Sequence, residues 1–364
     1  MRFTLNQNIL KRTKITPTIL LFSLIIFILS GCKKDSDTVT PTPPLEFENL
    51  DFPGIMMTLS AISYIDGDSI PSVIRDSIDT LLKDPSLATG GHWKRVWGPG
   101  ISGIKSNMIY VAMMKTPQFP VYAVVIRGTN MASLPDVIQD VNVFSLVPFT
   151  YGQAGDMVAK GGMEGLDSLL TAKDGGTGKT LEEYLNSLSH SQKMPLFVTG
   201  HSQGGGLAPL MAYWLITNDS LKNKFLFNTF AFAGPSVTNA SFNGHFRNAL
   251  SAVNGSFHML VNSLDVIPYL WADLKGISAK NIPVYVPSDY RLALEIADSV
   301  LSLLHIKYDS VTTSQYIGFI PITETGAGGI TPADSIKWYD HWLATEHNHN
   351  NYLRLLGVKP LTVN

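Results

Sequence analysis

The feature that most constrains this chain is the run Thr199-Gly200-His201-Ser202-Gln203-Gly204-Gly205-Gly206-Leu207-Ala208. A Gly-x-Ser-x-Gly triplet sets a serine on a tight strand-to-helix turn, where the flanking positions must be nearly free of side chain. Its context is the one such a turn needs. Residues 196–199 (LFVT) read as a buried strand before it, and residues 205–216 have helical spacing after it. The serine Oγ would then stand above a sheet edge, with a helix N-terminus beneath it. Further apolar, β-branched runs at 121–126, 225–233 and 257–261 read as strands, and residues 181–188 as a helix. This alternation predicts an α/β fold, a mainly parallel central sheet with helices on both faces. Residues 289–305 predict an amphipathic helix. Arg291, Glu295 and Asp298 form its polar face, and Leu292, Ile296, Val300, Leu301 and Leu304 an apolar face expected to turn to the core, with a membrane- or substrate-facing lid as the alternative.

Composition narrows the partners. In 364 residues, 27 Lys and Arg stand against 29 Asp and Glu, so no basic surplus exists to neutralise phosphates and nucleic acid is not an expected partner. With 45% hydrophobic and 15% charged residues the chain has the makings of a large core. The single cysteine, Cys32, excludes an internal disulfide framework. Residues 1–31 carry Arg2, Lys11, Arg12 and Lys14 and no acid, followed by an apolar run at 19–29 that is short for a membrane span and fits a signal peptide. The run ends in Leu29-Ser30-Gly31-Cys32, which resembles the lipobox of bacterial lipoproteins. That resemblance implies cleavage before Cys32, lipidation of Cys32, and anchoring to the cell envelope. Lys33 after the cysteine resembles an outer-membrane sorting signal, and the Lys33-Lys34-Asp35 start resembles surface-export tags. Residues 32–44, rich in Thr and Pro, read as the lipidated cysteine and a tether. Residues 45–364 read as a single folded domain.

A serine hydroxyl needs a general base, and the base an orienting carboxylate. On a fold with this elbow they follow the serine as acid, then histidine. Asp265, in Val261-Asn262-Ser263-Leu264-Asp265-Val266-Ile267-Pro268, lies after an expected strand, and His347 and His349 lie near the C-terminus. Together with Ile126-Arg127-Gly128-Thr129, these segments resemble the class 3 (fungal-type) lipases of the α/β-hydrolase superfamily. The resemblance spans about residues 90–357. It implies an oxyanion hole from Thr129 and the backbone N–H of Gln203. Two spacings to Tyr352 compete for the base: the shorter favours His349, while the longer, through Asn348 and Leu353, favours His347, which is the expected base with His349 as the alternative. Ile126, Gln203 and Pro209 depart from the family pattern, with Pro209 expected to interrupt the elbow helix. Residues 271–346 align with nothing in that pattern and are where a lid or acyl pocket is expected.

Other motifs carry less. Gly175-Gly176-Thr177-Gly178-Lys179-Thr180 ends like a phosphate loop, but no buried strand leads into it, and it reads as a turn before the 181–188 helix. His341, His347 and His349 lack a carboxylate or cysteine at ligand spacing, so no metal or cofactor is expected. Asp136 and Asp140 read as a solvated helix face. The expected activity is hydrolysis of carboxylic esters, as a triacylglycerol lipase or esterase working through an acyl-enzyme. The alternatives are an acyltransferase or phospholipase on the same fold, or a surface lipoprotein that binds a lipid or a partner without catalysis.

Overall fold

The apolar runs pair into one twisted sheet that carries the serine turn at its centre. In this computed structural model the described residues are 47–361, less 66–68, 103–106, 129–141, 280–285, 312–313 and 318–331; side chains at 314–316 and 332–338 are also outside the description. The segments 1–31 and 32–44, Cys32, Thr129, Asp136 and Asp140 therefore lie outside the described residues. All described residues fall in the unit Pro44–Asn364.

Helices α1 (Phe52–Ile62) and α2 (Pro71–Leu81) precede three antiparallel strands, β1 (Trp93–Ile101), β2 (Met108–Lys115) and β3 (Pro120–Ile126). The ribbon of β4 (Leu146–Pro148) and β5 (Met157–Ala159) stands apart. After α3 (Lys160–Thr171) and α4 (Leu181–Ser187), the parallel part begins with β6 (Met194–His201). It continues as α5 (Gln203–Thr217), β7 (Phe225–Phe232), α6 (Ala240–Ala252) and β8 (Ser256–Val261). Then follow α7 (Leu274–Ala279), α8 (Ser288–Leu303), β9 (Ser314–Tyr316), α9 (Pro332–His347) and α10 (His349–Leu355). The sheet order is β1-β2-β3-β6-β7-β8-β9, parallel from β3 onward. β1 and β2 extend the expected parallel sheet by an antiparallel edge, the mixed form common in large α/β sheets.

Alternate side chains of the central strands feed two cores. Val124, Leu196 and Val198 pack with Leu207, Leu210 and Met211 of α5, while Ala123, Val125 and Phe197 pack with Met56, Leu59 and Ile62 of α1. All eight residues of β6 are buried, which explains its apolar run over residues 194–198; Thr199 and His201 are buried as well. The Oγ of Ser60 on α1 lies 2.9 Å from the Oγ1 of Thr199 on β6, fixing α1 three residues before Ser202. α5 runs through Pro209 to Thr217 without interruption, contrary to the expected break. In α8 the buried residues are Tyr290, Leu294, Ala297 and Leu301, whereas Leu292, Ile296 and Leu304 are exposed. The helix forms as expected, but rotated from the inward face read in its sequence. Gly175 to Thr180 do form a turn: Asp174 accepts from the N–H and hydroxyl of Thr177, and Thr180 with Glu183 makes a capping box for α4.

Candidate active site

Ser202 sits between β6 and α5 with φ +60° and ψ −128°, a conformation that costs a residue with a Cβ about 1–3 kcal/mol. The surroundings hold it there. Its N–H donates to the carbonyl of Phe232 on the neighbouring strand at 2.9 Å. A Cβ at Gly200 would stand 2.4 Å from the Gly204 backbone, and one at Gly204 would stand 2.3 Å from the carbonyl oxygen of Ile126. The glycines of the motif are thus a steric requirement, because the start of α5 presses against the ends of its own strand and β3. Gln203 opens α5 directly after the serine, half-buried at the helix N-terminus.

Asp265 comes from the turn that leaves β8 and is 1% exposed. Its Oδ1 accepts from the N–H of Ile267 at 2.9 Å. Its Oδ2 takes two donors, the Tyr352 hydroxyl at 2.8 Å and His347 Nδ1 at 2.7 Å. His347 Nε2 lies 2.8 Å from Ser202 Oγ. With a proton on Nδ1 directed to the carboxylate, Nε2 presents a lone pair to the serine hydroxyl. His347 is the last residue of α9; Asn348 ends that helix and caps α10, its side chain accepting from the N–H of Asn350 at 2.8 Å. The chain turns there, so His347 and His349 face different neighbours.

His349 stacks on Tyr64 with ring centroids 5.0 Å apart and planes 11° from parallel. Burial, with the charge of His347 second, pushes its pKa down to about 4. The His201 ring lies 4.8 Å from that of His347, and its Nδ1 is 2.9 Å from the Tyr64 hydroxyl. Burial above all, then the charges of His347 and His349, push the His201 pKa well below the ordinary value. Both neighbours are therefore neutral at pH 7, and of the three rings His347 is the one bonded to a carboxylate. Burial raises the Tyr352 pKa well above the ordinary value, so its hydroxyl keeps the proton it gives to Asp265.

The structure brings together Ser202, Asp265 and His347; it sets His349 against Tyr64, and Thr129 lies outside the described residues. Sequence reasoning missed Tyr64, the His201 ring, and a buried pair formed by Asn262 and Glu346. His201 and Glu346 had only proximity to motif residues as a signal, His201 preceding Ser202 and Glu346 preceding His347, and Tyr64 had none. Among the described residues no three His, Cys, Asp or Glu side chains converge as a metal site.

Residues 123–274, which include Ser202 and Asp265, match the family model described as Lipase (class 3). Among solved structures the chain is similar to M37 lipase, with 26% identity over 86% of this chain and 96% of that one and a TM-score of 0.69. It is also similar to lipase II of Rhizopus niveus (21% identity, 60% and 71% covered, TM-score 0.41). A third likeness is to a Rhizomucor miehei lipase–propeptide complex (22% identity, 62% and 65% covered, TM-score 0.42). No curated protein matches the chain in sequence. The fold is that of the α/β hydrolases. Within that class, the match over residues 123–274 supports the class 3 lipase family.

Proposed function

We propose that the protein is a lipase, a triacylglycerol and carboxylic-ester hydrolase working through an acyl-enzyme on Ser202. The observation that carries this reading is the hydrogen-bond chain from Ser202 Oγ through His347 to Asp265, mounted on a strained turn. Ser202 attacks the ester carbonyl while His347 Nε2 takes its proton. Asp265 orients the imidazole and stabilises it once charged, without itself taking the proton. The tetrahedral oxyanion is held by the N–H of Gln203 at the start of α5 and by Thr129, each such donor worth roughly 3 kcal/mol or more of barrier. The imidazolium then protonates the leaving alcohol, and water, activated by the same histidine, releases the acid. No step calls for a cofactor.

The segment Leu29-Ser30-Gly31-Cys32 supports a lipid anchor at Cys32, with residues 1–31 removed and the catalytic domain tethered to the cell envelope, and Lys33 after the cysteine supports the outer membrane. Two or more acyl chains would anchor it stably. Mass spectrometry of the mature N-terminus should find acylated Cys32; an unmodified start elsewhere would remove this part of the proposal.

The function is tested with a panel of chromogenic esters of rising chain length, assayed on wild type and Ser202→Ala. Turnover by wild type on at least part of the panel, abolished in the variant, is expected. A folded wild type that turns over none, or a variant that retains activity, would favour a lipid-binding protein over an enzyme.

A further inference from the structure

Ser202 is fixed by its own backbone, but Asp265, His347 and Tyr352 arrive on three separate segments: the turn after β8, the end of α9, and α10. Something must set the register between them to a fraction of an ångström. One buried side chain, on the segment that carries His347, bonds to residues of the other two. Glu346 is 0% exposed. Its Oε2 accepts from Asn262 Nδ2 at 2.5 Å and from Asn351 Nδ2 at 3.2 Å. Asn262 Nδ2 also donates to the Glu346 carbonyl at 3.0 Å, and the Asn262 N–H donates to the Tyr352 hydroxyl at 3.0 Å. Asn262 stands three residues before Asp265, Asn351 directly before Tyr352, and Glu346 directly before His347.

A carboxyl group is costly at such a place. Burial raises the Glu346 pKa, and among the described residues its Oε1 has no hydrogen-bond partner. A leucine or methionine would fill the volume without that cost, so packing alone does not account for a glutamate here. Two amide donors pointed at one carboxyl oxygen do account for it.

We infer that Glu346 is a positioning residue, whose carboxyl ties the Asp265 turn and α10 to the end of α9 and so holds His347 in line between Asp265 and Ser202. This rests on the proposed catalytic role of those three groups. It makes the carboxyl's hydrogen-bond acceptance the important property. Glutamine, which keeps one acceptor oxygen for both amides, should then serve nearly as well.

The test uses the full chain in detergent, as wild type, Glu346→Leu, Glu346→Gln and Asn351→Leu, with Ser202→Ala as the inactive control. Each is assayed on one soluble ester and examined by proton NMR for the downfield Nδ1–H signal of His347, which reports its bond to Asp265. Glu346→Leu should lower kcat about tenfold to a hundredfold with KM little changed, the loss expected from a misplacement near 1 Å. It should also shift or broaden the Nδ1–H signal. Glu346→Gln should restore kcat to within about threefold of wild type, since the acceptor is kept. Asn351→Leu, which removes one of the two donors, should fall between them, and carries the same test if Glu346→Leu does not fold. An unchanged kcat and an unmoved signal in a folded Glu346→Leu would overturn the inference. So would a rise in KM alone, or a glutamine variant as impaired as the leucine one, which would assign the effect to charge. If wild type shows no Ser202-dependent turnover, the enzymatic reading fails instead, and the Nδ1–H signal still decides the role of Glu346.

Discussion

The two ends of the proposed proton path are held by opposite means. Ser202 is positioned by main chain: a left-handed φ, a backbone bond to Phe232, and glycines pressed to within a van der Waals contact of neighbouring strands. His347 is held by a side chain, that of Asp265, which Tyr352 bonds in turn and which the inferred Asn262–Glu346 tie keeps in register, and it has no special backbone requirement of its own. A site built by main chain fails by unfolding when altered, because a forbidden Cβ has nowhere to go. A site built by side chains can lose its chemistry and keep its fold.

That contrast fixes the order of expected effects. The largest is in rate: His347→Ala should lower kcat by on the order of 10⁴-fold while leaving the melting temperature within a few degrees. A comparable loss in His349→Ala, with His347→Ala active, would reassign the base. Next comes the elbow. Gly204→Ala puts a Cβ 2.3 Å from the Ile126 carbonyl oxygen. It should destabilise the protein by about 3 kcal/mol or more in denaturant unfolding, or prevent folding. A stable, active Gly204→Ala would break the comparison at its firmer end.

The third effect appears with pH. His349 is lowered from 6.5 to about 4, mainly by burial. Between those values the unfolded chain takes up a proton there that the folded chain refuses. Stability is therefore fully present above pH 6.5, falls as pH drops through that window, and levels off below about 4. The contribution is up to about 3 kcal/mol at its lower end. His349→Phe keeps an aromatic ring against Tyr64 and should flatten this slope relative to wild type; an unchanged slope would show the histidine to be solvated. The smallest effect is expected of Tyr352→Phe, which removes one donor from the buried Asp265. It should cost about 1–2 kcal/mol of stability and a severalfold loss of kcat. A loss as large as that of His347→Ala would make the tyrosine a participant in the chemistry.

The same contrast decides what could be read from sequence. The elbow was legible because its constraint is local: close approach of main chain leaves glycine as its mark at Gly200 and Gly204, and full burial leaves the apolar run at residues 194–198 in β6. The partners of His347 are joined across 80 and more residues, and nothing local distinguishes a buried Glu346 from any glutamate on a helix. His347 and His349 were inseparable by residue type, because what divides them is the helix break at Asn348. In α8 both faces carry apolar residues, so periodicity predicted the helix but misplaced its inward side. Tyr290 and Leu294 are buried, and Leu292 and Ile296 are exposed. Thr129, the proposed second oxyanion donor, lies outside the described residues.

In the proposed reaction Ser202 carries the acyl group. Acid quench of a slowly hydrolysed ester during its first turnover, followed by peptide mass spectrometry, tests it directly. One acyl adduct is expected on the peptide holding Ser202 in wild type, and none on that peptide in Ser202→Ala, whose turnover is lost. Turnover without an adduct there, or an adduct on another residue that survives in Ser202→Ala, would contradict it.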